Sequence, residues 1–324
     1  MKYVDLLKSQ YESFPYPTNT LSNGGYRELV NLAKLLRLDC GYHLQRKRIL
    51  DAGTGTGLRL LELAAAFPEN DYVGIDYSEN SIACAERAKK AFPGTRVSFR
   101  VGDIMAADLQ GEPFDVILCM GVLHHLQRPA EAIDRLSQLL TSRGVLFFYV
   151  YGEYGSGERM RRKRLLSHLH SQDELGQKIE SAKRLGFTEF PYGWSIQDPT
   201  DVDPMIVDAY VNQYEVLYTL ETIGKMVSNS FTACVPYGFT LERNGLLVES
   251  RLNANFTMPV ARTDPRSKLN SPALEEVYAK LPKRQQLLVL EDLYAPGGYT
   301  MLAHNGGFLE EISRPDRLTS NAWQ

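Results

Sequence analysis

Between Arg48 and Tyr151 the chain alternates short apolar runs with segments of helical period, and that rhythm leaves few folds open. "KRILDAG" is a short apolar strand ending in a turn, and "LRLLELAAAF" reads as the helix behind it. "YVGIDYS" is a second strand, followed by the helix "ENSIACAERAKKAF". "RVSFRVGD" alternates as a third strand, and "FDVILCMGVL" is a fully apolar fourth. "PAEAIDRLSQLL" is then helical, and Gly144 precedes a fifth strand, "VLFFYVY". Apolar strands separated by helices predict an α/β fold: a mostly parallel sheet with helices on both faces. In such sheets ligands bind outside the carboxyl ends of the strands, where the strand order reverses.

Around this block the pattern loosens. Leu29, Leu32, Leu35 and Leu36 fall at helical spacing ahead of it. Past Tyr151, "GEYGSGERMRRKRLLSHLH" passes from a Gly-rich turn into a basic helix. "KIESAKRLGFTEFPYGWSIQDPTDVDPMIVDAYV", rich in Pro, Asp and aromatics, reads as a connecting or lid segment. Alternation resumes with the helix "LETIGKMVSNS" and the strand "FTACVPYGF". An irregular stretch containing the helix "SPALEEVYAKL" then leads to a last strand, "GYTMLAHNG". The expected organisation is a seven-stranded sheet with two insertions. An N-terminal helical arm or lid covers 1–45, a core 46–152, and a first insertion or substrate cap 153–215. A core helix and strand follow at 216–240, a second insertion at 241–297, and the last strand and tail at 298–324.

The turn after the first strand, "ILDAGTGTGL", bears on the ligand. A dinucleotide fingerprint wants glycines at its first, third and sixth positions. Counting from Gly53, the third is Gly55 but the sixth is Leu58. The pattern is instead Asp-x-Gly-x-Gly-x-Gly, with Asp51 ahead of Gly53, Gly55 and Gly57. An acid there repels a pyrophosphate and suits a ligand carrying an ammonium group.

This stretch resembles the first motif of the class I S-adenosylmethionine (SAM) methyltransferases, whose core is Rossmann-like. Three further motifs follow in the same order: "VGIDYS", "VGDI" and "FDVILCMGVLHHL", the last trailed by "RPAEAIDRLSQLL" and "RGVLFFYV". The resemblance covers about Arg48 to Tyr151. It implies SAM as methyl donor and S-adenosylhomocysteine as product. It also implies cofactor contacts at Asp51, Gly53, Thr54, Gly55 and Gly57 in the turn. Asp76 would clamp the ribose, Tyr77 cover the adenine, and Asp103 with Ile104 read the adenine edge. Met120 and Gly121, at the end of the fourth strand, complete the set. The competing reading of Asp76 and Asp103 is that they only cap the helices that follow.

Methyl transfer from a sulfonium is an in-line displacement, so positioning and exclusion of water do most of the work. A base is needed only where the nucleophile must lose a proton. His124 and His125 stand just past the fourth strand as base or pocket wall. Tyr11 and Tyr16, in the aromatic "QYESFPYP" arm, are further catalytic candidates; similar arms fold over the cofactor in bacterial enzymes of this type. In "ERMRRKR", Arg159 and Arg162 either anchor an anionic acceptor or belong to a solvated helix face. Tyr192, Trp194 and Met205 either line an acceptor pocket or pack in the interior. His168 and His170, two residues apart, do not share a helix face; no metal is expected.

The sequence thus predicts an enzyme that methylates O or N of a small molecule or peptide. A non-catalytic SAM-binding regulator or scaffold, a nucleic-acid or protein methyltransferase, and a Rossmann dehydrogenase are the competing classes. The formal net charge of −3 gives no global pull toward nucleic acid or an anionic membrane. The opening "MKYVDLLKSQYESF" lacks the apolar stretch of a secretory signal, and no run approaches the ~18–20 apolar residues of a membrane span. Cys40, Cys84, Cys119 and Cys234 form no CxxC pair and are expected to be reduced and buried. A cytoplasmic location follows as the expectation.

Overall fold

Strand β1 (Arg48–Ala52) buries Ile49 and Leu50 completely on opposite faces, as a central parallel strand must. The computed structural model describes residues 3–16, 28–106, 111–171, 174–188, 202–212, 214–241, 257–260 and 263–314. On one side of β1 lie β2 (Asp71–Asp76) and β3 (Val97–Val101), and on the other β4 (Phe114–Met120) and β5 (Leu140–Tyr151). All five are parallel. Beyond β5 come β8 (Gly298–His304), β6 (Ala233–Thr240) and the edge strand β7 (Thr257–Pro259). β8 runs antiparallel to both neighbours, and β7 antiparallel to β6. The seven strands read from the sequence are therefore present, and three residues of β7 extend the edge. The order reverses between β1 and β4, which puts a ligand crevice at their carboxyl ends.

Side chains alternate across the sheet into two layers. Ile49, Val116, Leu118, Val145 and Phe147 pack with α2 (Glu28–Cys40) and α3 (Leu58–Ala66). Leu50, Ile117, Cys119, Leu146 and Phe148 pack on the other face with α5 (Pro129–Gln138), α9 (Leu220–Val227) and α12 (Lys283–Tyr294). Each such large side chain contributes about 1.5–3 kcal/mol through burial. The four cysteines are free and buried within the fold, as expected. Among the described residues no helix is long and apolar enough to cross a membrane.

Two stretches are more regular than their sequences suggest. The segment read as an irregular lid contains α7 (Leu175–Arg184) and α8 (Val202–Ile206), and α8 continues into a π-helical turn, Val207–Val211. The second insertion contains α10 (Arg266–Leu269), α11 (Pro272–Lys280) and α12, of which only α11 was expected. The first insertion has an interior of its own. Leu166 of α6 (Gly157–Leu169), Ile179 and Ala182 of α7, Ile206 and Tyr210 form it. Met205 belongs to this cluster and is 7% exposed, so it packs in the cap's interior rather than lining a pocket.

The N-terminal helix α1 (Tyr3–Ser13) is tied to both core and cap. Phe14 and Tyr16 pack against the cap cluster. The Glu12 carboxylate accepts from the backbone N–H groups of Glu79 (2.8 Å) and Asn80 (3.0 Å), at the start of α4 (Glu79–Lys89). The next N–H, of Ser81, donates to the Ser78 hydroxyl at 3.0 Å. Three orphan donors of α4 are thus satisfied, two of them by a residue 67–68 positions away in sequence. Glu12→Ala should release the arm, and limited proteolysis should then cut near residues 14–27 several times faster than in the parent chain. Unchanged cleavage would show that the remaining contacts of Tyr11, Phe14 and Tyr16 hold it.

Candidate functional site

The turn after β1 is stitched to β2. Gly53 and Thr54 both donate their backbone N–H to the Ile75 carbonyl, at 2.9 and 2.8 Å, and Gly57 N–H donates to Thr54 at 3.0 Å. Holding this course takes φ of +83° at Gly53, +56° at Gly55 and +74° at Gly57, the left-handed region where a Cβ is strained. The two acids sit on either side of the turn. Asp51 is buried and accepts from the Thr54 hydroxyl at 2.7 Å, and burial pushes its carboxyl above the usual range despite that bond. Asp76 accepts from Gly55 N–H (2.9 Å) through one oxygen and from Ser78 N–H (3.0 Å) through the other. Burial raises its carboxyl to about 6, against the pull of those two bonds.

The other sequence candidates of this region lie at neighbouring strand ends. Tyr77 follows Asp76, and its ring centroid is 6.4 Å from that of Tyr11. Asp103, past β3, is exposed and accepts from Met105 N–H at 2.8 Å, while Ile104 is buried. Asp103 therefore shapes a local turn, and no helix follows it directly among the described residues. Met120 is partly buried, and Gly121 after it adopts φ +83° with nothing within 4 Å of where a Cβ would stand. That combination leaves open space beyond the end of β4.

A polar group assembles over β4 and β5. His124 and His125 lie in a single 3₁₀ turn, Leu123–His125, and both are buried. His124 stacks on Tyr151 with ring centroids 3.9 Å apart, and its ring nitrogens have no hydrogen-bond partner among the described residues. Burial, and then the neighbouring His125, Arg159 and Lys163, hold its basicity well below the ordinary histidine range. The His125 Nδ1 is 2.9 Å from the Tyr214 carbonyl, which can only accept, so Nδ1 carries the proton. The Asn212 amide reaches its Nε2 at 3.2 Å. Burial lowers His125 to about 4. Neither ring is a strong base at neutral pH, and both are better described as fixed walls.

Tyr11 spans the two halves. Its ring lies 6.4 Å from both Tyr77 and His125, and its hydroxyl donates to Asp208 at 3.5 Å. Tyr151 donates to the other oxygen of Asp208 at 3.3 Å. Tyr16 packs against the cap instead. The basic run behaves differently from either expectation at Arg159. That side chain is 2% exposed, donates to Glu215 at 2.6 Å and to the Ala209 carbonyl at 3.3 Å, and lies 4.4 Å over the Tyr151 ring. Its charge is committed inside the protein, so it is not an open anion anchor. Lys163 shares Glu215 at 2.6 Å, and Arg162 pairs with Glu158 at 2.7 Å and donates to Tyr210 at 3.0 Å. Tyr192 and Trp194 lie outside the described residues. His170 bonds Ser181 at 2.7 Å, and no cluster of three metal-binding side chains exists among the described residues.

Sequence reasoning missed Asp208, Asn212, Glu215 and Tyr151. All but Tyr151 come from the cap; Asp208 lies in its π-helical turn and Asn212 directly after it, an irregularity with no sequence signature and a frequent companion of functional sites.

Residues 43–196 match the model of a methyltransferase domain. That match spans just under half of the chain, whose fold is that of the class I SAM-dependent methyltransferases. An uncharacterized protein of Synechococcus is 29% identical over 239 residues, 68% of this chain and 56% of that protein. The malonyl-[acyl-carrier protein] O-methyltransferase of Bacillus cereus is 24% identical over 194 residues, 58% of this chain and 68% of that enzyme. Among solved structures, PKMT2 from Rickettsia typhi in complex with AdoHcy superposes with a TM-score of 0.61 at 17% identity. It covers 90% of this chain and 55% of that one, and the likeness is one of fold. The chain therefore spans little more than half the length of the Synechococcus and Rickettsia proteins it matches.

Proposed function

We propose that this chain binds SAM at the carboxyl ends of β1, β2 and β4, and transfers its methyl group to an oxygen or nitrogen of a small molecule or peptide. The observation that carries the reading is the turn itself: three consecutive positive-φ glycines between two buried acids, opening toward the free space at Gly121. The residues present fit the group. Both Asp76 oxygens keep a lone pair beyond their single backbone bond, enough to accept from the two ribose hydroxyls. The glycine backbone admits the methionine portion closely, and the acids disfavour a pyrophosphate. SAM supplies an activated methyl on a sulfonium. The protein's share is to hold the acceptor in line and exclude water, for which Tyr11, His125, Tyr151 and Asp208 form the wall over β4 and β5.

Calorimetric titration with SAM, S-adenosylhomocysteine and NADH tests the binding, and labelled methyl from SAM offered to fractionated host extract tests the transfer. Micromolar SAM binding with a labelled product is expected. Enhanced NADH fluorescence would return the site to a dehydrogenase, and SAM binding without product in any fraction would make the chain a regulator. A pH dependence follows from Asp76. Its carboxyl must be ionised to accept from both hydroxyls, so SAM affinity should rise with pH through about 6 and level off above. Asp76→Asn should bind weakly and without that pH step; a variant that keeps the step would reassign it to another group.

A further inference from the structure

Asp208 is unusual among the acids around the site. It is half-buried, and its partners are two hydroxyls at 3.3 and 3.5 Å, longer than good O–H···O⁻ bonds. No cation lies within ion-pair distance of it among the described residues. The charged and titratable groups around it are Tyr11 from α1, Arg59 from α3, Tyr151 from β5, Arg159 and Lys163 from α6, and Glu215. Arg159 and Lys163 both close on Glu215 at 2.6 Å, and Arg159 acts on Asp208 through its charge. Burial holds the Asp208 carboxyl up to about 6, with Arg159 opposing, so at neutral pH it is largely ionised and lacks a cation in contact.

Position adds a second argument. The glycine turn and Asp76 lie at β1 and β2, whereas Asp208 stands over β4 and β5, on Tyr151 at the end of β5. Tyr11 bridges the two, touching Tyr77 on one side and Asp208 on the other. The carboxylate is thus on the acceptor side of the crevice and not among the groups that build the cofactor turn.

From this geometry we propose that Asp208 receives the ammonium group of the acceptor, with the hydroxyls of Tyr11 and Tyr151 beside it, so that this enzyme methylates a primary or secondary amine. The inference rests on the methyltransferase reading above and narrows its acceptor to nitrogen. The ammonium docks against the carboxylate and loses one proton to solvent, which frees the nitrogen lone pair. That lone pair forms the N–C bond while the C–S bond breaks, its electron pair staying on sulfur. An ammonium and a sulfonium become a methylammonium, neutral S-adenosylhomocysteine and one released proton, so charge balances. The neighbouring wall supplies no better base, and none is needed once the proton has left.

The test uses the full chain with methyl-labelled SAM and host extract, half of it pretreated with the amine-selective reagent N-acetoxysuccinimide. Label on nitrogen, stable to alkali and absent from the pretreated half, is the expected result. Label released by alkali as methanol, or unaffected by the pretreatment, overturns the amine assignment while leaving the methyltransferase standing. No label from either half removes the transfer itself, and this inference with it. For Asp208→Asn we expect kcat/KM for the labelled product to fall roughly 10- to 100-fold, the worth of a charge-assisted contact. The Kd for S-adenosylhomocysteine should stay within about twofold, since no cofactor contact is removed, and Asp208→Glu should recover part of the loss. A parallel loss of S-adenosylhomocysteine affinity would instead give Asp208 to the cofactor's amino group and overturn the proposal. Because the chemistry of the label is read on the unaltered chain, a variant that failed to fold would leave that arm decisive.

Discussion

Gly53→Ala should weaken SAM binding severely, while Gly94→Ala, at the same backbone angle, leaves it nearly intact. Both glycines adopt φ +83°. At Gly94, between α4 and β3, an added Cβ would meet nothing within 4 Å, so alanine there carries only the left-handed strain of about 1–2 kcal/mol. At Gly53 the same carbon would stand 2.3 Å from Cγ2 and 3.3 Å from Cγ1 of Val122. Val122 is short and branched, so it has no flexible end to swing away. Either the turn lifts off β2, breaking the Gly53 and Thr54 bonds to Ile75, or Val122 is forced back toward the 3₁₀ turn that carries the two histidines. Overpacking of this kind adds about 1–3 kcal/mol. Because both escapes deform the crevice, the loss should appear in binding beyond the loss in stability. We expect the SAM Kd to rise by about 100-fold or more for Gly53→Ala and by less than about threefold for Gly94→Ala. Equal affinities in the two variants would mean that the turn does not hold the ligand.

That contrast also explains what was legible in the sequence. The sheet core was readable because each strand is a local apolar run and each glycine of the turn has a backbone reason of its own. The positions of Asp51 and Asp76 near the ends of β1 and β2 were readable because strand ends are set by the same local pattern. The polar wall was not readable, since its members meet only through the cap. Arg159 and Glu215 are 56 residues apart, and nothing in "ERMRRKR" separates the one arginine that turns inward from its exposed neighbours Arg161 and Arg164. Met205 illustrates the complementary failure. An apolar residue in an insertion fits a pocket and an interior equally well, and only packing against Leu166 and Ile179 decides. The three-residue strand β7 and the π-helical turn lie below the length at which periodicity carries information.

The inward arginine leads to the largest expected effect on stability. Arg159 and Glu215 have side chains 2% exposed each, so their charges are held by one another, by Lys163, by the Ala209 carbonyl and by the face of Tyr151. Burial alone would raise the Glu215 carboxyl; Arg159 and then Lys163 outweigh it and bring it below the usual range. Arg159→Met keeps most of the volume but leaves Glu215 with Lys163 alone, whose amine is itself pushed down by burial. Breaking such a pair typically costs about 3–5 kcal/mol. At about 2–4 °C of Tm per kcal/mol for a domain of this size, the melting temperature should fall by roughly 6–20 °C. Glu215→Leu strands Arg159 and Lys163 together, and adding Arg159→Met removes one of these two like charges, so the double variant should melt above Glu215→Leu alone. The pH sense is fixed by the lowered carboxyl: the pair's contribution is present above the unfolded carboxylate range and is lost as pH falls through the folded value. Thermal melts of the three variants at neutral pH decide between this role and an acceptor anchor. An anchor would give Arg159→Met a near-parent Tm with a raised KM, whereas a structural pair gives a large drop in Tm and a double variant that melts above Glu215→Leu.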